Sequence, residues 1–187
     1  MKQKSKSSNQ ITEGIIWKQL LSFFFPMFFG TFFQQFYNTI DAIVVGRFVG
    51  KEALSAVGGT TGSLINLFIG LFVGLSTGAT VTISQYYGGK QEERVSKAVH
   101  TAIAFAIVSG AVITLIGILG APVALRFMGT PMDIMPYSLT FLRIYFCGMI
   151  ANLIYNMGSG ILRAIGNSRW PLYFLMVSCL INIILDI

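Results

Sequence analysis

Two acidic side chains stand inside otherwise uncharged apolar runs of this 187-residue chain, and each closes a stripe of amide and hydroxyl groups. Gln34, Asn38 and Asp41 recur at i, i+4 and i+7, so they share one helical face with Thr31 just below. Ser178, Asn182 and Asp186 repeat the arrangement at four-residue spacing. An amide oxygen and a carboxylate one turn apart offer the oxygen ligands that a hard cation such as Na⁺ takes. A desolvated carboxylate can instead take a proton, because burial disfavours its charged form. Asp41, Asn182 and Asp186, with Asn38 in support, are therefore the candidate cation- or proton-coupling residues. One such stripe is a weak signal, and two that both end in an acid are considerably more specific.

A third stripe places Asn152, Asn156, Ser159 and Arg163 at i, i+4, i+7 and i+11. It suits the wall of a cavity for a small organic substrate and suits hydrogen bonding between helices equally well. Gln34, Tyr37, Asn152 and Asn156 are the candidate cavity residues, with Tyr155 nearby. Catalysis is not expected, since the chain has no His-Glu-x-x-His and no Gly-x-Ser-x-Gly, and its two acids have amide neighbours. A channel would show a filter or a charged ring, and neither is visible. Cys147 and Cys179 each lie in an apolar stretch, which predicts two buried free thiols rather than a disulfide or a metal site. No cofactor is expected beyond Na⁺ or H⁺ as coupling ion.

The elements that position these residues follow from composition. Hydrophobic residues make up 54% of the chain and charged ones 11%, against roughly 25% charged in soluble domains. Asp41 is the one charged residue between Lys18 and Arg47, and residues 53–89 carry none. Further runs cover 98–125, broken by His100 at its start, 137–162 with Arg143 inside it, and 170 onward. Each of the first four exceeds the roughly 20 residues a helix needs to cross hydrocarbon. An all-α, polytopic transmembrane helical bundle of five spans is expected. A helix begun at Trp170 would be about 27 Å long where the sequence stops, so the fifth span reads as cut off and the chain as the amino-terminal part of something longer, or a truncated product. Residues 1–13 are expected to form a cytoplasmic tail and 14–187 a partial transmembrane lobe.

The net charge of +6 does not suggest nucleic acid, because the basic residues sit between apolar runs and not on a patch. With the tail inside, the inner segments hold nine Lys and Arg residues and the outer ones four, Arg47, Lys51, Arg126 and Arg143. That bias sets an amino terminus in the cytoplasm. In a straight helix Asp41 would lie about 34 Å beyond Lys18, close to the outer interface, where it would be merely solvated. Pro26 should kink the helix and lower it, which favours a place on a pathway. Gly58, Gly62, Asn66, Gly70, Gly74 and Gly78 form a small-residue ridge, read first as a close helix contact and second as a sliding surface. Glu92 and Glu93 are expected to balance Arg94 and Lys97, His100 to be solvated or capping, and Arg143 to snorkel outward.

Pro26, Gln34, Asn38-Thr-Ile-Asp41 and Gly46, then Glu52-Ala-Leu-Ser-Ala-Val57 and Gln85-Tyr-Tyr-Gly-Gly89, resemble the multidrug and toxic compound extrusion (MATE) transporters. Gly160-Ile-Leu-Arg-Ala-Ile-Gly166 with Pro171, and Asn182-Ile-Ile-Leu-Asp186, look like the same family. The resemblance implies twelve spans in two pseudo-symmetric lobes that export organic, often cationic, drugs or metabolites across the cell membrane in exchange for Na⁺ or H⁺. It also implies that Asp41 is the first-span coupling acid and that Asn182 and Asp186 are its fifth-span partners. This chain would supply five of six helices of one lobe, with the bilayer, the substrate and the remainder of the transporter as partners. A lipid-linked oligosaccharide flippase of the same superfamily and a non-transporting membrane fragment are the alternatives.

Overall fold

The computed structural model describes residues 15–186, so the tail expected over 1–13 lies outside the described residues. Side chains are described throughout this range except at Glu52, Thr60 and Asp186. Seven α-helices follow one another: α1 (Ile16–Val44), α2 (Lys51–Gly58), α3 (Thr60–Gly88), α4 (Glu92–Phe127), α5 (Met135–Cys147), α6 (Met149–Ala164) and α7 (Arg169–Asp186). A π-helical turn, Val45–Val49, prolongs α1 and ends at Gly50, whose φ of 116° breaks the helix before α2.

Three stretches are long and apolar enough to cross a membrane: Ile16–Val49, Ala53–Gly88 and Glu92–Phe127. The expected fourth span is instead two helices, α5 and α6, meeting at 49° about Gly148, and the pair counts as a fourth crossing if taken as one broken span. The fifth, Arg169–Leu185, is shorter. α1 remains one helix through Pro26, and α4 through Pro122. The chain is a multi-pass helical membrane protein.

The core lies where α3, α4, α5 and α6 meet, around Phe72, Leu125, Leu142, Phe146, Met149 and Leu153. Phe146 meets Phe68 edge to face with ring centroids 5.4 Å apart. A Cβ on Gly117 would collide with the Phe146 ring, so that glycine is what lets α5 approach α4. Two hydroxyls tie helices together across the apolar interior: Ser76 donates to the Asn156 carbonyl at 2.9 Å and Thr114 to the Phe146 carbonyl at 2.9 Å.

Two expectations change. Around Gly58, Gly70, Gly74 and Gly78 an added Cβ would meet nothing within 4 Å, so most of the small-residue ridge faces away from the bundle. Cys147 is exposed while Cys179 is buried, because in a membrane an apolar neighbourhood can be lipid. As expected, Glu93 pairs with Lys97 at 2.6 Å on an exposed face, and His100 is exposed, its Nδ1 2.8 Å from the Ser96 carbonyl in the same helix.

Candidate ion and substrate sites

The candidate coupling residues belong to α1 and α7, which pack along each other. On α1 the residues Gly30, Gln34, Tyr37 and Asp41 follow at alternating four- and three-residue steps, and on α7 Leu172, Leu175, Cys179, Asn182 and Asp186 do the same. Such steps keep a stripe on one face. Gly30, the one buried residue of α1, brings the backbone close to α7, with its Cβ direction 3.6 Å from Leu175 and 3.9 Å from Leu172. Seven residues on along the same stripe stands Tyr37, half-buried. Between α1 and α7 the chain reverses four times, after α1, α3, α4 and the α5–α6 pair taken as one broken span, so the two helices run parallel. Continued by one turn, the same register brings the level of Asp41 to that of Asn182 and Asp186.

That register changes the explanation of depth. A kink at Pro26 was expected to absorb a mismatch between the two acids, yet the first turns of α1 simply extend past the start of α7, so Asp41 and Asp186 reach similar heights along a continuous α1. Asp41 and Asn182 are half-buried and Asn38 is exposed, while the side chain of Asp186 lies outside what is described. Asn182 Oδ1 is enclosed with no hydrogen-bond donor. Leaving a buried acceptor unmatched costs roughly 1–3 kcal/mol, so the position favours a ligand that brings positive charge or a proton. Among the described residues no three His, Cys, Asp or Glu side chains gather into a metal-holding group.

The second site is a cavity of about 140 Å³ between α1, α6 and α7. Gln34 and Asn156 line it, together with Tyr155, Ser159 and Arg163, whereas Tyr37 and Asn152 do not. Asn152 is occupied within α6, where its carbonyl and Oδ1 accept from Asn156 Nδ2 at 2.9 and 2.7 Å. The third stripe thus does both of the things its spacing allowed: Asn156 faces the cavity, and its carbonyl also takes the bond from Ser76 on α3. Sequence reasoning missed Ser168, Pro171 and Leu175 on the α7 wall. The four-residue link 165–168 between α6 and α7 was the available signal, because so short a turn must hold the start of α7 against the end of α6.

Comparison with known proteins places these features. The family model described as MatE matches residues 26–187. "Probable multidrug resistance protein YoeA" of Bacillus subtilis (strain 168) is 33% identical over 170 residues, covering 91% of this chain and 36% of the relative. "Probable multidrug resistance protein YpnP" of the same organism is 27% identical over 179 residues, covering 93% and 39%. A solved MOP superfamily transporter from Pyrococcus furiosus superposes with a TM-score of 0.89 at 25% identity, over 98% of this chain and 40% of that one. The chain spans little more than a third of the length of the curated relatives it matches.

Proposed function

The chain belongs to the MatE family, and from that premise we propose that it forms part of a cation-coupled exporter of organic, often cationic, compounds. The names of the two Bacillus relatives support drug efflux as the activity. Residues 14–187 contribute helices of an amino-terminal lobe, preceded by a cytoplasmic tail at 1–13. The cell membrane is the proposed location, with the links 89–91 and 165–168 on the cytoplasmic side, where nine of the thirteen Lys and Arg residues would lie.

Asp41, Asn182 and Asp186, supported by Asn38, hold Na⁺ or H⁺ between α1 and α7 in this reading. The observation that carries it is the enclosed, unmatched Oδ1 of Asn182 on α7, the helix that packs along α1. Two carboxylates held close in a dry site repel, so at least one is neutralised by a proton or a cation. Opening the site to the other side of the membrane removes that neutralising charge. The ion then drives the conformational change by its different affinity for the two states. Gln34 and Asn156 serve the substrate from the adjacent cavity, with Tyr37 between the two sites. A flippase reading receives less support, since Arg163 is the single basic residue on the cavity wall among the described residues.

Asn182→Leu separates function from packing. It removes an unmatched buried acceptor at similar volume, so stability should rise or hold, while efflux driven by an imposed Na⁺ or H⁺ gradient should be lost. A variant that keeps wild-type coupling would remove Asn182 from the ion site.

A further inference from the structure

The cavity between α1, α6 and α7 has a polarity of its own. Two of its polar side chains are already committed to neighbours: Thr31 donates to the Met27 carbonyl at 3.1 Å, and Asn156 donates to Asn152. Among the rest are Ser159, Ser168 and Arg163, and among the described residues none of their side chains forms a hydrogen bond or an ion pair. Arg163 is half-buried, and no Asp or Glu lines the cavity. A guanidinium has five donors and no acceptor, and half-buried with no carboxylate beside it, it is suited to receive an anion.

The start of α7 reinforces the same end. Ser168 immediately precedes its first residue, Arg169, and both Ser168 and Pro171 line the cavity. Asn167 caps the Trp170 N–H at 3.4 Å, while Pro171 supplies no N–H at all. The helix dipole therefore adds partial positive charge beside the guanidinium. Met27, Gly30, Leu172 and Leu175 add apolar surface to the lining. A volume of about 140 Å³ has room for roughly five waters, or for one carboxylate or phosphate head with the beginning of an apolar body.

We propose that Arg163, with Ser159 and Ser168, forms a subsite for the anionic head of an amphipathic molecule, a carboxylate or phosphate monoester attached to an apolar group. This deepens the exporter reading and rests on it in one respect: the subsite would extend the transported compounds to zwitterions and organic anions. The same chemistry is presented by an anionic lipid headgroup, so the experiment distinguishes the two sources.

The test is calorimetric titration of the protein in phosphatidylcholine nanodiscs with 2-naphthyl phosphate, and with 2-naphthol as the neutral counterpart. The phosphate should bind at least about tenfold more tightly than the naphthol, a comparison that needs no variant. Arg163→Gln should weaken phosphate binding by about tenfold or more and leave naphthol unchanged, and Arg163→Lys should fall between. Repeating the titration with phosphatidylglycerol added to the discs identifies the source: lowered apparent affinity means that lipid headgroups compete for the subsite, and unchanged affinity means that a free amphiphile is the occupant. Equal binding of phosphate and naphthol, or an Arg163→Gln variant that binds the phosphate as the wild type does, would overturn the proposal. Gradient-driven ethidium efflux, measured on the same wild-type protein, reports on the exporter reading separately, because its absence would leave the binding result standing.

Discussion

Substituting Gly160 by Ala should destabilise the bundle far more than the same change at Gly74, although both glycines sit inside apolar helices. At Gly160, where α6 crosses α3, a Cβ would stand 2.5 Å from Thr80 Oγ1 and 2.7 Å from Ser76 Oγ, about 0.9 Å inside ordinary contact for the nearer atom. Neither hydroxyl can turn aside freely. Thr80 donates to the Ser76 carbonyl at 2.8 Å and Ser76 donates to the Asn156 carbonyl at 2.9 Å. The methyl group therefore either pushes the helices apart or breaks these bonds. Overpacking costs about 1–3 kcal/mol and each lost bond about 0.5–1.5 kcal/mol, so about 2–4 kcal/mol is expected in all. At Gly74 the added Cβ meets nothing within 4 Å, and helix propensity alone would favour Ala by up to about 1 kcal/mol. Thermal unfolding of the purified protein in detergent, followed by loss of the monodisperse peak, should show Gly160→Ala melting at least about 5 °C lower, and Gly74→Ala unchanged or higher. If Gly160→Ala melts with or above Gly74→Ala, the α3–α6 contact is not as close as described.

Further outcomes follow from single contacts. Ser76→Ala removes one bond between helices and should cost about 0.6 kcal/mol, the mean for such bonds in membranes, and no more than about 1.7 kcal/mol, read from the same unfolding curves. Thr114→Val should behave alike through its bond to the Phe146 carbonyl. For topology, cysteines placed at Gln91 and Arg169 in a Cys147→Ala background should react with an impermeant maleimide only after the membrane is opened, and one at Asp133 should react from outside. Gln91 modified in intact cells would invert the assignment.

The helices were legible because uncharged runs bounded by Lys, Arg, Gly and Pro must hydrogen-bond internally in lipid, and only a helix does so within one segment. The bend at Gly148 was not legible. Glycines are common in membrane helices, and nothing distinguishes the one that breaks a span from Gly110 or Gly117, which lie within α4. The ridge from Gly58 to Gly78 was visible as a surface that another helix could approach, but spacing does not say which helix or whether it belongs to this chain. The tight contacts are made instead by Gly117 and Gly160, outside that pattern. Cys147 was misread because apolar neighbours signal burial in water, whereas in a bilayer the solvent is itself apolar. The α1 and α7 stripes were readable from their three- and four-residue steps. Their common register was not, since it depends on how far α1 extends before Gly30 reaches Leu172 and Leu175.

The most direct measurement of the proposed coupling site uses Asp41→Asn and Asp186→Asn, made separately and reconstituted into vesicles at matched protein levels. Each vesicle preparation carries an imposed Na⁺ gradient or an imposed H⁺ gradient, and the movement of a fluorescent organic cation is followed against binding of the same cation at equilibrium. Both substitutions keep shape and remove charge, so binding should persist while gradient-driven transport disappears with the ion the wild type uses. Transport at the wild-type rate in either variant would contradict the assignment and return that acid to the role of an interfacial or packing residue.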